Sequence, residues 1–164
     1  MGNLISNKQG HKHSNVDLSN GGTSVLVSFL ALAGSRLAKV QSEIDLITWL
    51  VSRDQGVLGV GVVGFDLSDM PWSKNCEEFD RQKKFLRSVI SRIRSKVDVQ
   101  FVEYNPPYLE TYTDCLNKLL DSFEFSMVSQ TSPEWCLLPN KTLDKCEKHG
   151  VFLHEAGCVV CNDG

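Results

Sequence analysis

Apolar positions recur at helical spacing in three stretches of the chain, residues 42–56, 75–97 and 108–123. The first two stretches open with capping-box patterns, which are Ser42 with Asp45 and Asn75 with Glu78. The third follows a pair of prolines, and proline suits the first turn of a helix. The pattern therefore predicts three amphipathic helices.

Shorter stretches have the patterns of strands. Residues 57–67 are rich in valine and interrupted by glycines, residues 97–101 alternate apolar with polar positions, and residues 125–128 could add a third strand. The apolar stretch 24–40 is broken at Gly34, and it fits either one or two helical turns or a short strand followed by a helix. These elements predict an α/β (or α+β) domain of two or three layers, with about three strands and three to four helices.

Composition divides the chain into three parts. Residues 1–23 hold Asn, Ser, Gly, His and Lys with almost nothing to bury, which predicts a disordered N-terminal tail. Residues 24–130 carry the predicted helices and strands and form the α/β domain. Residues 131–164 are a polar loop followed by a cysteine-rich end. With 164 residues and 41% hydrophobic content, the chain suits one globular domain plus a tail.

Charge and hydropathy narrow the class of protein. A formal charge of −3 gives no general attraction to nucleic acid or to anionic membranes. Residues 73–96 carry eight basic residues against three acidic ones, and we interpret them as a solvated helix face. The longest apolar run, residues 25–33, is far shorter than the roughly 20 residues of a membrane-spanning helix. The N-terminal residues do not resemble a secretory signal, so we expect a cytoplasmic protein whose six cysteines are thiols or metal ligands.

The first residues also fit the N-myristoylation pattern, with Gly2 as the acceptor and Ser6 at the pattern's hydroxyl position. A single myristoyl chain binds membranes only marginally. The sequence therefore allows membrane association through Gly2 in a host that has the transferase.

The strongest chemical signal is a set of two spaced pairs near the C-terminus: Cys146 with His149, and Cys158 with Cys161. Two residues separate the members of each pair, and the two pairs together supply the four N and S donors that a tetrahedral zinc ion takes. The choice of the fourth ligand stays open. His154 could replace His149, and Cys136 could replace either histidine.

Residues 146–162 resemble a compact zinc ribbon built from two zinc knuckles. Each pair is followed by a residue that tolerates positive φ, Gly150 or Asn162, which suits a tight turn around the thiolates. The intervening residues 151–157 are long enough for a short hairpin. The resemblance covers about a tenth of the chain, with a spacer that is short for a ribbon. It implies a structural zinc ion in a C-terminal knuckle hairpin.

Two further motifs match known patterns without their context. The C-x-x-C of Cys158 and Cys161 fits a redox pair, but neither a βαβ unit before it nor a helix after it is predicted. Residues 59–64 match G-x-G-x-x-G, but these glycines lie inside a predicted strand and do not open a helix. We therefore interpret the cysteines as metal ligands and the glycines as part of a core strand.

Three carboxylates complete the set of candidates for chemistry. Asp66, Asp69 and Glu103 lie near the ends of predicted strands, where open α/β sheets usually place their sites. They could hold a catalytic metal, although loop capping is the simpler interpretation. The sequence thus favours a protein-binding or adaptor domain with a structural zinc ion and no catalytic residues. The alternatives are a toxin-neutralising, immunity-type protein and a small hydrolase or transferase that uses these carboxylates.

Overall fold

A computed structural model describes residues 3–7, 15–102, 107–129 and 144–162 of the chain. Its strands are β1 (Leu4–Ser6), β2 (Val16–Asp17) and β3 (Phe65–Asp66). Its helices are α1 (Asn20–Leu37), α2 (Gln41–Val51), α3 (Gln55–Leu58), α4 (Cys76–Arg94), α5 (Leu109–Ser122) and α6 (Val159–Asn162). The predicted α/β class is confirmed. Among these helices, none is long and apolar enough to cross a membrane.

The small sheet is built largely from the segment that the sequence predicted to be a disordered tail. Its order is β2-β1-β3, with β1 antiparallel to β2 and parallel to β3. Ile5 lies opposite Val16 on one side and Phe65 on the other, and its side chain is fully buried. The structure therefore departs from the prediction of disorder at residues 3–7 and 15–23, because a few apolar side chains there complete the core. Gly2 lies outside the described residues.

Helix α1 is the central element, and it contacts α2 and α4. Most of the ambiguous stretch 24–40 belongs to this one helix, which runs through Gly34 without a break and ends at Leu37. A Cβ atom added at Gly34 would lie 2.2 Å from Cδ1 of Ile47, so glycine here permits close packing of α1 on α2. The glycine that looked like a helix breaker is a packing contact.

The three helices predicted from periodicity are present as α2, α4 and α5. The predicted cap of α4 is confirmed, since the Asn75 side chain accepts a hydrogen bond from the backbone N–H of Glu78 at 3.1 Å. The predicted cap of α2 is wrong. That helix begins at Gln41, and the Glu43 carboxylate accepts the backbone N–H of Val40 at 3.3 Å. It also ends earlier than predicted, at Val51.

The positions predicted for the strands are mostly wrong. Of residues 57–67, only Phe65–Asp66 form a strand, and α3 occupies the start of the stretch. Val57, Val60 and Val62 are exposed, whereas Val63 is buried. Residues 99–101 and 125–127 are 3₁₀ turns. In the 97–101 stretch Asp98 is buried and Val97 is half exposed, the reverse of the burial that the alternation predicted.

The burial of Asp98 has a clear electrostatic cause. Its carboxylate accepts two hydrogen bonds from Arg92 of α4, at 2.8 and 3.0 Å, and lies 3.6 Å from Arg36 of α1. Hydrogen bonding to Asp98 raises the pKa of Arg92 above its ordinary value. Pairing with charged donors offsets the cost of burying a carboxylate. Asp98 is therefore buried, although the alternating pattern predicted that this position is exposed.

Candidate metal centre

Four side chains of the C-terminal segment meet at one point, and we call them the Cys3His cluster: Cys146, His149, Cys158 and Cys161. Their donor atoms all lie within 4.8 Å of one another. The Nδ1 atom of His149 is 3.8 Å from Sγ of Cys146, 3.7 Å from Sγ of Cys158 and 3.3 Å from Sγ of Cys161. The sulfur atoms of Cys146 and Cys161 are 3.8 Å apart.

These distances can be compared with the edges of a tetrahedral zinc site. With Zn–S of about 2.3 Å and Zn–N of about 2.0–2.1 Å, a tetrahedron has S–S edges of about 3.8 Å and S–N edges of about 3.6 Å. The observed S–S separation of 3.8 Å and the S–N separations of 3.3 to 3.8 Å are close to those edges. The Cys3His cluster therefore has the size and the donor set to hold a metal ion.

Two tight turns place the cysteines. In the first, the backbone N–H of Gly150 donates to the carbonyl of Cys146 at 2.7 Å, and Gly150 has the positive φ of +67° that the sequence predicted. In the second, the chain forms α6, so Asn162 is its last helical residue rather than the predicted turn residue. In both turns backbone N–H groups point at the leading sulfur: those of Lys148 and His149 at Cys146, and those of Val160 and Cys161 at Cys158.

A short antiparallel pairing connects the two turns. Bridges join Lys145 to Phe152 and His154 to Gly157, which agrees with the predicted hairpin. The side chains of Val151 and Phe152 are buried in the same hydrophobic core as the helices. The backbone N–H of Phe152 also donates to the hydroxyl of Ser35 in α1, at 3.1 Å. Residues 144–162, which we call the metal segment, are therefore packed against the main body of the protein.

The environment of the cluster affects its protonation in the absence of a metal ion. Burial raises the pKa of Cys158 to about 12, against the opposing effect of two backbone N–H groups. At Cys146 burial also raises the pKa, but hydrogen bonds from the backbone and from neighbouring thiols outweigh it, and the net pKa is lowered. Burial lowers the pKa of His149, which favours the neutral imidazole that metals bind.

His154, the alternative ligand, forms its hydrogen bonds outside the Cys3His cluster. Its Nε2 atom is 2.8 Å from Oδ2 of Asp54, and its Nδ1 atom accepts the backbone N–H of Ala156 at 3.2 Å. Both ring nitrogens are engaged, so His154 is neither part of the Cys3His cluster nor placed as a base. Cys136, the other alternative, lies outside the described residues.

The candidate carboxylates Asp66 and Asp69 line one open cleft of about 510 Å³ at the ends of β1 and β3. Within it, Asp66 accepts hydrogen bonds from the backbone N–H and hydroxyl of Ser68, at 2.9 and 2.7 Å, and from the hydroxyl of Ser6 at 2.9 Å. Asp69 accepts the backbone N–H of Asp66 at 3.3 Å. These contacts cap the turn at residues 67–69. Glu103 lies outside the described residues.

The glycine motif has different surroundings from those that a dinucleotide-binding pattern requires. The glycines of residues 59–64 follow α3 and precede β3, the reverse of a dinucleotide fingerprint, in which a strand comes first and a helix follows. Gly59 and Gly61 have φ of +102° and +84°, which only glycine adopts readily. The interpretation of this segment as a core strand is therefore wrong.

The basic residues of α4 are largely paired with acidic neighbours. Arg87 lies 2.7 Å from Asp121 and Arg94 pairs with Asp114, both on α5. Arg81 lies 3.0 Å from Glu78 within the same helix. Acidic side chains thus accompany much of the positive charge of this helix.

Sequence reasoning missed Asp54, whose side chain is fully buried between α3 and the metal segment. A capping aspartate before a glycine-containing turn was visible in the sequence, but its partners lie about 100 residues further on.

Comparison of the chain with family models, with curated proteins and with solved structures found no match.

Proposed function

We propose that this chain is a cytosolic protein-binding or adaptor module that holds one structural zinc ion in the Cys3His cluster. The observation that carries this proposal is the cluster of four protein donors within 4.8 Å of one another, with the S–N separations and the Cys146–Cys161 separation close to tetrahedral edges. Three thiolates and one imidazole are typical of structural zinc. When all four positions are taken by protein atoms, no position remains for a water molecule or a substrate.

The engagement of other reactive groups supports a binding role over catalysis. His154 uses both ring nitrogens in hydrogen bonds, and Asp66 and Asp69 cap a turn. General acid–base catalysis needs a group that can exchange a proton with a substrate. These side chains instead hold the fold together.

Protein purified under reducing conditions should contain about one zinc ion per chain. Replacement of that zinc by Co²⁺ should produce the visible absorption of tetrahedral cobalt with thiolate charge-transfer bands, because three sulfur donors are present. Metal analysis by mass spectrometry and absorption spectroscopy provide the two readouts. Reduced protein without bound metal, or an octahedral cobalt spectrum, would contradict the proposal.

A small hydrolase or transferase remains the second candidate, because the cleft at the ends of β1 and β3 brings Asp66 and Asp69 together. On the binding-module proposal, Asp66→Ala should cost about 0.5–2 kcal/mol of folding free energy through loss of a cap. It should leave the zinc content unchanged. Urea denaturation and metal analysis by mass spectrometry measure the two effects. A turnover found by substrate screening and lost in folded Asp66→Ala and Asp69→Ala variants would favour the enzyme.

A further inference from the structure

An exposed apolar segment begins in the last two residues of α3 and continues beyond the helix, and we call residues 57–62 the apolar loop. Its four large side chains, Val57, Leu58, Val60 and Val62, are each between 40 and 65% exposed. Gly59 and Gly61 lie between them with positive φ. Glycine gives a backbone more conformations to lose on folding than any other residue. This loop therefore depends on contacts at its two ends to keep one conformation.

Two consecutive residues hold those ends. The guanidinium group of Arg53 donates to the carbonyls of Val63 and Gly64, at 3.2 and 2.8 Å, where the chain leaves the loop. Oδ1 of Asp54 accepts the backbone N–H of Gly56 at 2.8 Å and caps α3, where the chain enters it. The backbone carbonyl of Asp54 also accepts the N–H groups of Val57 and Leu58, at 3.0 and 2.9 Å. The entry to the loop is thus organised around Asp54.

Asp54 is in turn held by the metal segment. Its Oδ2 atom lies 2.8 Å from Nε2 of His154 and 2.8 Å from Nδ2 of Asn162. Because Nδ1 of His154 accepts the N–H of Ala156, a neutral His154 carries its proton on Nε2 and donates it to Asp54. Asn162 directly follows the cluster residue Cys161 and ends α6. A fully buried carboxylate therefore joins the metal segment to the apolar loop.

We propose that metal bound to the Cys3His cluster fixes the conformation of the apolar loop through Asp54. This inference rests on the proposed metal binding and adds a consequence for the neighbouring apolar loop. A helix of four residues does not persist alone, and the buried Val159 and Val160 anchor only the first half of α6. The metal–thiolate bonds then hold the exposed end, which carries Cys161 and Asn162, in place. Without them Asp54 loses fixed donors to a buried carboxylate, which is unfavourable unless the surrounding structure opens. Metal loading then controls how the loop's valines and leucine are presented.

The test is amide hydrogen exchange in the full chain, read at the hydrogen-bonded amides of Val57, Leu58 and Gly59. Zinc-loaded protein is compared with protein treated with a chelator. We expect these amides to exchange at least about tenfold faster after metal removal. Equal exchange in the two samples would overturn the proposal.

The variant Asp54→Asn tests the contacts between Asp54 and the metal segment without changing a residue of the Cys3His cluster. Asparagine caps helices as well as aspartate does, so its Oδ1 can still accept the N–H of Gly56. Its Nδ2 group then faces the two donors from His154 and Asn162, and these contacts become repulsive. We expect a zinc-loaded Asp54→Asn protein to show the faster loop exchange of the metal-free protein. The matched control is Glu155→Gln, an exposed change in the hairpin turn beside His154, which should leave loop exchange unaltered.

The outcomes distinguish this inference from the proposed metal binding. Metal analysis of each sample shows whether the Cys3His cluster holds zinc. Amide exchange of the apolar loop in Asp54→Asn shows whether the contacts of Asp54 with the metal segment fix the loop. Loop exchange that stays at the wild-type rate in Asp54→Asn, with zinc still bound, would overturn the inference and leave the metal centre intact. A wild-type chain without zinc would overturn both.

Discussion

Replacing Cys158 with serine is expected to release the metal and to lower the free energy of unfolding by about 3–5 kcal/mol, comparable to a large core truncation. A serine hydroxyl is a poor zinc ligand, and Cys158 is the buried cysteine of the cluster. Without the metal, the turns that position Val151 and Phe152 are no longer held. Both side chains belong to the shared hydrophobic core, so the loss should extend beyond the C-terminal segment.

Metal content by mass spectrometry and urea denaturation by circular dichroism measure the two effects of Cys158→Ser. The matched control is Cys76→Ser, because Cys76 is an exposed thiol at the start of α4, outside the cluster. That variant should keep its zinc and its stability. A folded Cys158→Ser protein with one zinc per chain would show that Cys158 is not a ligand.

The candidate metal centre could be predicted from sequence because its chemistry is local. Ligand pairs separated by two residues fix each turn of the chain, and the positive φ of Gly150 follows from the same short-range geometry. The choice between His149 and His154 could not be made in this way. It depends on Asp54, which engages His154 from about 100 residues earlier in the chain.

The helices were predictable for a similar reason, and the strands were not. Apolar residues recur at helical spacing in α4 and in α5 because each helix buries one face. Residues 57–62 have the composition of a buried strand but lie on the surface, because strand formation requires a neighbour that local sequence does not specify. The strand prediction for residues 97–101 is wrong for another reason. Asp98 pairs with Arg92 and Arg36, and this pairing reverses the burial that the alternation predicted. Charge contacts of this kind leave no periodic signal.

A core substitution in β1 is the second change for which we expect a large loss of stability. The sequence predicted disorder for this segment, whereas the structure has a strand there. Ile5 is fully buried between Val16 and Phe65, so Ile5→Ala should lower the free energy of unfolding by about 2–5 kcal/mol. The control is Leu4→Ala on the same strand, where the side chain is only partly buried and the loss should be smaller. Urea denaturation with zinc kept bound measures both variants. If Ile5→Ala and wild type unfold at the same urea concentration, the segment contributes nothing to the core and the disordered tail predicted from composition is correct.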